Sequence, residues 1–410
     1  MIETNIRVKK ADNKGAQSFL SFLYVTIVLA LFYPYEFYSA YPLLSSISQQ
    51  VLQAFFLGST LFLIAISSKR TLRVPAMALL VVALHFFWMI LNSMYKGIPI
   101  GPSAFVTPLL ALVLVCFINS TCGLASFYAK YNGWILLMTV LGTVCFFLIR
   151  AGVLHPFILF IDLSDEEIMY NYGATFTQEG YYYCGFFDEP GTIAQWSVFA
   201  LVFNKLFVKN DKLELLLIIT TLFTFSMGFY IQILVYLFFF YIFGRSKNKL
   251  NLFALVLLIA GAVYFMANDT DLYEKTFGRI SMAIGDSKTQ GLAVDDRENL
   301  TLEAVSEFQK NPLFGTTKEN PEVGNNLFEP LALYGIVGTV FLYLPFFILL
   351  LRAISKRDYE LLKCIVVILI GFTHRPFHKN LLSYFIIYSL IAMCYMGDYI
   401  APQNKRTNLI

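Results

Sequence analysis

Charge is scarce in this chain. Asp, Glu, Lys and Arg make up 14% of the 410 residues, against roughly a quarter in ordinary soluble domains. Histidine is rarer still, at four residues, and the six cysteines include no CxxC pair. Cys116, Cys145, Cys364 and Cys394 sit inside apolar runs, with Cys122 and Cys184 outside them. That distribution argues against a disulfide framework or a zinc site. No P-loop, GxGxxG, HExxH or Ser-His-Asp pattern stands in a workable context, and there is no internal repeat or low-complexity tract. The expectation is an absence of cofactor, metal and nucleic-acid partner. A cleavable signal peptide is missing too: the first apolar run, Phe19 to Tyr33, has no small-residue cleavage site and reads as a retained span.

Apolar residues fill the space that charge leaves. They are 58% of the chain, aromatics are 17%, and the mean hydropathy is +0.65, which points to a polytopic protein in a lipid bilayer. The runs approach helical spanning length and do not alternate, so the expected fold is all-α, a helix bundle rather than a barrel. About twelve transmembrane helices are expected in a single integral membrane domain over 1–410. They are Ser18–Tyr33, Ile47–Ser67, Val74–Met94, Ala104–Asn119, Gly133–Ile149 and Ile193–Val208. Leu213–Ser226, Phe229–Phe243, Leu252–Ala267, Leu327–Leu351, Leu361–Thr373 and Leu381–Met396 follow. Only Met227 and Gly228 separate the seventh and eighth, which reads as a tight hairpin in preference to one long broken helix.

Positive charge orients this layout. With both termini in the cytoplasm, 20 of the 30 Lys and Arg residues fall inside. The short loops Lys69–Arg73, Lys205–Lys212, Arg245–Lys249 and Arg352–Arg357 all lie there. Three segments then face outward, away from the cytoplasm: 150–191, 268–325 and the turn Thr373–Asn380. The second lies between spans nine and ten and is the longest polar stretch of the chain, with eleven acidic and six basic residues. It contains a short amphipathic helix. Asp295 and Glu298 suit a capping box, Leu300, Ala304 and Phe308 recur on one face, and Pro312 ends it.

Candidate chemistry gathers in these segments. Arg279 and Arg297 offer planar forks suited to pyrophosphate, or are solvated surface charges. Arg375, in the run Thr373-His374-Arg375-Pro376-Phe377-His378, is held against the bundle by a short turn. A charge at that depth is a functional candidate or a snorkelling anchor. His374 and His378 are placed for proton transfer or as polar caps. In Cys184-Gly185-Phe186-Phe187-Asp188-Glu189-Pro190-Gly191, Glu189 is either a general base toward a sugar hydroxyl or an acid at a helix start. Tyr170, Tyr172 and Tyr181, Tyr182 and Tyr183 suit an interfacial belt or sugar stacking. His85, mid-span, reads as a helix-packing hydrogen bonder.

In order, these segments resemble the O-antigen polymerase (Wzy) family, related to the O-antigen ligases. Cys184–Gly191 looks like the family's G-x-F-x-E-P motif. Arg297, Ala304, Phe308 and Asn311-Pro312-Leu313-Phe314-Gly315 look like its R…A…F…NPLFG stretch. Asn325 with Leu333-Tyr334-Gly335-Ile336-Val337-Gly338 looks like N…L-x-x-x-G-I-x-G, and His374-Arg375-Pro376 is also similar. Two positions depart: Tyr182 stands where the family commonly has arginine, and Gly324 stands where the ligases carry a catalytic histidine. The resemblance implies a GT-C-like membrane glycosyltransferase, metal-independent, that polymerises undecaprenyl-pyrophosphate-linked oligosaccharide repeat units on the periplasmic face of the inner membrane. It implies Glu189, Arg297 and Arg375 as catalytic residues. Arg279, Arg297, Arg375, His374, Asn325, Tyr182 and Tyr183 would contact substrate, and a chain-length-determinant co-polymerase would be a partner. A ligase or other lipid-linked glycan transferase, and more remotely a flippase, are the alternatives. A flippase would be expected to show repeats and mid-membrane charge.

Overall fold

A computed structural model of the chain describes residues 14–32, 74–101, 103–161, 168–178, 182–187, 189–242, 296–318, 323–324, 327–375 and 380–396. Isolated positions at 58, 256, 259–261, 263–264 and 267–268 are also described. Among the described residues the helices are α1 (Lys14–Phe32), α2 (Ala76–Lys96), α3 (Ser103–Thr121) and α4 (Leu124–Arg150), then α5 (Pro190–Phe203), α6 (Asp211–Leu222) and α7 (Met227–Leu237). After these come α8 (Asp296–Lys310), α9 (Glu329–Ser355), α10 (Tyr359–His374) and α11 (Leu381–Met396). α5 and α7 each run on through a π-helical turn, Asn204–Val208 and Phe238–Ile242. The chain is therefore mostly helical. Among the described residues, five helices are long and apolar enough to cross a membrane: Ala76–Lys96, Ala104–Thr121, Leu124–Arg150, Pro190–Val208 and Glu329–Ser355. Two expected spans, Ile47–Ser67 and Leu252–Ala267, lie outside the described residues apart from isolated positions.

Local chemistry sets the helix ends. Gly97 closes α2 in the left-handed region at φ 68°, its N–H bonding the Ser93 carbonyl. Asn210 caps α6 by accepting from the Lys212 and Leu213 amides, and Asp358 caps α10 through the Leu361 amide. Large apolar side chains such as Leu80, Phe87, Leu91, Val340, Phe347 and Leu351 stand exposed along α2 and α9. Rows of this kind fit the hydrocarbon of a bilayer.

α5 is the centre of the bundle. Every residue from Gly191 to Phe203 is buried, as expected of a helix that is apolar all round. α4, α6, α7 and α10 pack on it. The expected hairpin is present as α6 and α7. Phe225 turns the chain at φ 51°, and the Tyr236 and Tyr241 hydroxyls donate to Glu214 at 2.8 and 2.7 Å. A continuous helix would set Glu214 and Tyr236 about 33 Å apart at ~1.5 Å per residue, so only an antiparallel return allows these bonds. Glu214 is buried and also pairs with Lys205 at 2.6 Å.

The fold is not purely helical, which corrects the all-α expectation. Within 150–191 lies a four-stranded antiparallel meander, β1 (Ile158–Ile161), β2 (Ile168–Asn171), β3 (Phe176–Gln178) and β4 (Tyr182–Gly185). Its register pairs Ile158 with Asn171, Met169 with Gln178 and Thr177 with Tyr183, with an irregularity at Phe176/Thr177. Strands of three or four residues carry too little pattern to separate from loop or helix by periodicity, and the tyrosines here pair across strands. Tyr172, Phe176, Tyr182 and Tyr183 are all buried.

α8 is the amphipathic helix expected between Asp295 and Pro312. It docks on the start of α9 through Ala304, Val323 and Ala332. The segment after it clamps that contact. Thr316 N–H bonds Ala332 O at 2.7 Å, while Ile336 and Val337 N–H bond Pro312 and Leu313 O at 2.8 and 3.2 Å. Gly335 breaks the helical path of α9 at φ 64°, ψ −173°, a region open essentially to glycine. A side chain on Gly335 would strike the Leu313 backbone, and one on Gly315 the Leu333 backbone. The two glycine motifs of the sequence are thus the halves of one backbone clamp. The sheet, α8, the starts of α5, α7, α9 and α11, and the ends of α2, α4 and α10 share one end of the bundle, called here the sheet end.

Candidate functional site at the sheet end of the central helix

Glu189 sits at the N-cap position of α5 in an extended conformation, φ −131°, ψ 150°, and Pro190 fills the first helical position. Its carboxylate does not cap the helix. It pairs instead with Nη2 of Arg375, the residue that closes α10. Nη1 of Arg375 reaches Thr192 Oγ1 at 3.3 Å. The side chains are 11% and 18% exposed for Arg375 and Glu189, so this ion pair is largely withdrawn from solvent.

The backbone is shaped to allow the contact. A Cβ on Gly191 would collide with the Arg375 guanidinium, and one on Gly228 with the His374 ring. Glycine therefore lets α5 and the start of α7 close on these two side chains. Gln195, one turn into α5 and fully buried, donates to Gly371 O at 3.2 Å and Arg375 O at 3.4 Å. Tyr343 on α9 bonds Phe372 O at 3.3 Å. The last turn of α10 is thus held from both sides, and Arg375 points where it does because its backbone is fixed.

Helix dipoles reinforce this pattern. The starts of α5 and α7 present partial positive charge, while the end of α10 presents partial negative charge. An acid at the first and bases at the last are each favoured. The same field favours any anion that takes the place of the Glu189 carboxylate. Chemically, the cluster offers a planar guanidinium donor, a carboxylate acceptor and a hydroxyl in a largely buried corner, with the exposed imidazole of His374 next in sequence to Arg375. Among the described residues no group of three or more His, Cys, Asp or Glu could hold a metal ion.

The other sequence candidates are distributed unevenly. His374 stands next to Arg375, exposed, with its ring against Gly228. Tyr183 is fully buried, packs its ring on Gly142 of α4 and donates to Thr220 O at 2.5 Å, the position of a strut between sheet and bundle. Tyr182 is buried with its ring edge-on to Phe225. Arg297 belongs to the first turn of α8. Arg279, Asn325, His378 and Asp188 lie outside the described residues. Thr192 and Gln195 were not singled out from sequence. Gln195 carried a signal, as the amide inside an otherwise apolar run, and Thr192 directly follows the Glu189-Pro190-Gly191 triplet.

His85 bonds the Tyr384 hydroxyl at 3.0 Å, joining α2 to α11. No protein-family model matches the chain, and a search of curated proteins found no significant match.

Proposed function

We propose that this corner transfers a glycan from a lipid-linked pyrophosphate donor to a sugar hydroxyl, lengthening an oligosaccharide on the outer face of the membrane. The observation that carries the reading is the buried pair of Arg375 with Glu189, set beside His374 where the starts of α5 and α7 meet the end of α10. A diphosphate matches the guanidinium fork better than one carboxylate oxygen does. On binding it draws Arg375 away from Glu189, and the released carboxylate becomes a proton acceptor. The acceptor hydroxyl oxygen bonds to the anomeric carbon, the anomeric C–O bond to phosphorus breaks with its electrons on the pyrophosphate, and the hydroxyl proton passes to Glu189. Arg375, the helix N-termini and Arg297 from α8 stabilise the negative charge that builds on the leaving group.

The resemblance to the O-antigen polymerases supports the same reading, through Glu189, Arg297, Arg375 and the clamped glycine motifs. Lipopolysaccharide from a strain lacking the chain tests it in the cell. Core carrying a single repeat unit is the expected result. Complete loss of O-antigen points instead to a ligase or a flippase.

A further inference from the structure

A second feature of the sheet end has no part in the Arg375 corner. A cleft of about 360 Å³ opens between α2, α3, α9 and α11, within the range of small-molecule sites. Its α2 wall mixes Trp88 and Met89 with polar groups. His85, Asn92, Ser93 and Lys96 recur on one face of a helix otherwise rich in exposed apolar residues. From His85 to Lys96 the stripe runs about 16 Å at ~1.5 Å per residue. The opposite walls are distorted helices. Pro108 interrupts α3, so the Ala104 carbonyl cannot receive the usual amide bond from four residues on, and both residues line the cleft. α9 contributes Leu333 and Tyr334, just before its break at Gly335. Irregular backbone at membrane depth is tolerated where it lines a polar cavity.

The charge in the lining has one sign. Lys96 and Lys318 both face the cleft, and no Asp or Glu is among its described lining residues. Lys96 donates to the Leu333 carbonyl at 2.5 Å, which holds its ammonium over the mouth. Lys318 also pairs with Glu303 and Glu307 of α8 at 3.2 and 2.9 Å, and so is carried by the clamp that docks α8. Phe314 of the same clamp lies 4.6 Å from the Tyr95 ring and stacks on Trp88, closing one side. A hydrocarbon chain has no use for amide, hydroxyl and imidazole groups along its length. A hydroxyl-rich anion uses all of them. The space equals about a dozen waters at ~30 Å³ each, which one or two sugar rings fill.

We propose that this cleft binds an acidic saccharide, its carboxylate at Lys96 and Lys318 and its hydroxyls along Asn92, Ser93 and Thr107. The proposal rests on the reading of the chain as a glycan transferase, and it narrows the substrate to oligosaccharides carrying uronic acid. The test is equilibrium binding to the purified full chain in lipid nanodiscs. The probes are a glucuronic-acid disaccharide, its carboxyl-reduced neutral counterpart, and farnesyl phosphate. The acidic disaccharide should bind about tenfold more tightly than the neutral one. Lys318→Gln and Lys96→Gln should each weaken it about tenfold. Lys96→Gln also loses the tie to Leu333, so Asn92→Leu serves as a second variant that blocks the stripe without removing that bond, and it should likewise lose binding. In Glu189→Gln, where transfer is expected to stop, binding of the acidic disaccharide should persist, so failure of either claim is seen separately. Equal binding of acidic and neutral probes overturns the proposal. So does wild-type affinity in all three cleft variants, or binding of farnesyl phosphate that the same cleft variants weaken while the acidic disaccharide does not bind.

Discussion

Removing either partner of the Arg375–Glu189 pair should lower both stability and turnover, and a double-mutant cycle separates the two effects. Deleting one member of a buried ion pair typically costs about 3–5 kcal/mol because the other charge is left uncompensated. With side chains 11% and 18% exposed, the lower end of that range is expected. Burial against Glu189 adds a stability cost to any loss of turnover when Arg375 is removed. The cycle uses Glu189→Gln, Arg375→Gln and the double variant, in which no charge remains to be stranded. Unfolding in detergent should show each single variant destabilised and the double variant recovering about 1–3 kcal/mol of their sum. Turnover should behave differently. Loss of a preorganised donor lowers rate by roughly 10²–10³, and the double variant should stay as inactive as the worse single one. Additive stabilities would show that the two side chains are not coupled. Recovered turnover in the double variant would show that the pair is a scaffold and nothing more.

Three further outcomes follow from the same structure. Gly335→Ala, at a backbone conformation closed to other residues, should destabilise the α8–α9 clamp by about 1–3 kcal/mol, read as a lower melting temperature and faster proteolysis after Lys310. Glu307, buried on α8, is held down to about 2 by hydrogen bonds from Lys310, Thr316 and Lys318, which outweigh its desolvation. Its folded value lies below its unfolded one, so its contribution is complete above about 4.5 and disappears as pH falls toward about 2. Protection of the α8 amides against exchange, relative to their intrinsic rates at each pH, should fall across that window, and Glu307→Gln should flatten the dependence. Reporter fusions after Lys249 and after Ser287 should report opposite sides of the membrane, phosphatase-inactive and phosphatase-active; two cytoplasmic signals would break the proposed orientation.

Long apolar runs made the helices legible in the sequence. α11 spans Leu381–Met396, as the sequence led one to expect. α4 begins nine residues before its expected start because Lys130 and Asn132 dilute the hydropathy of its first turns, although Asn132 is buried in the bundle. The sheet was illegible for a different reason. Ile158–Ile161 is a short apolar run that fits strand, buried helix or interface equally well. At the site, Arg375 and Glu189 each stood out by charge near a membrane boundary. Their contact joins positions 186 residues apart, and no spacing rule in a single sequence pairs them. The stripe on α2 was readable but was missed, because His85 was weighed alone and not with Asn92, Ser93 and Lys96 at helical intervals.

The most direct measurement is single-turnover reaction of the purified chain with a lipid-pyrophosphate-linked oligosaccharide, following glycan length and released polyprenyl pyrophosphate together. The wild type should form a product one repeat unit longer for each pyrophosphate released. Glu189→Gln should bind the donor and form neither product. Retention of most of the wild-type rate by Glu189→Gln, or movement of the lipid across the bilayer by the wild type without growth of the glycan, would contradict the assignment of this corner to glycosyl transfer.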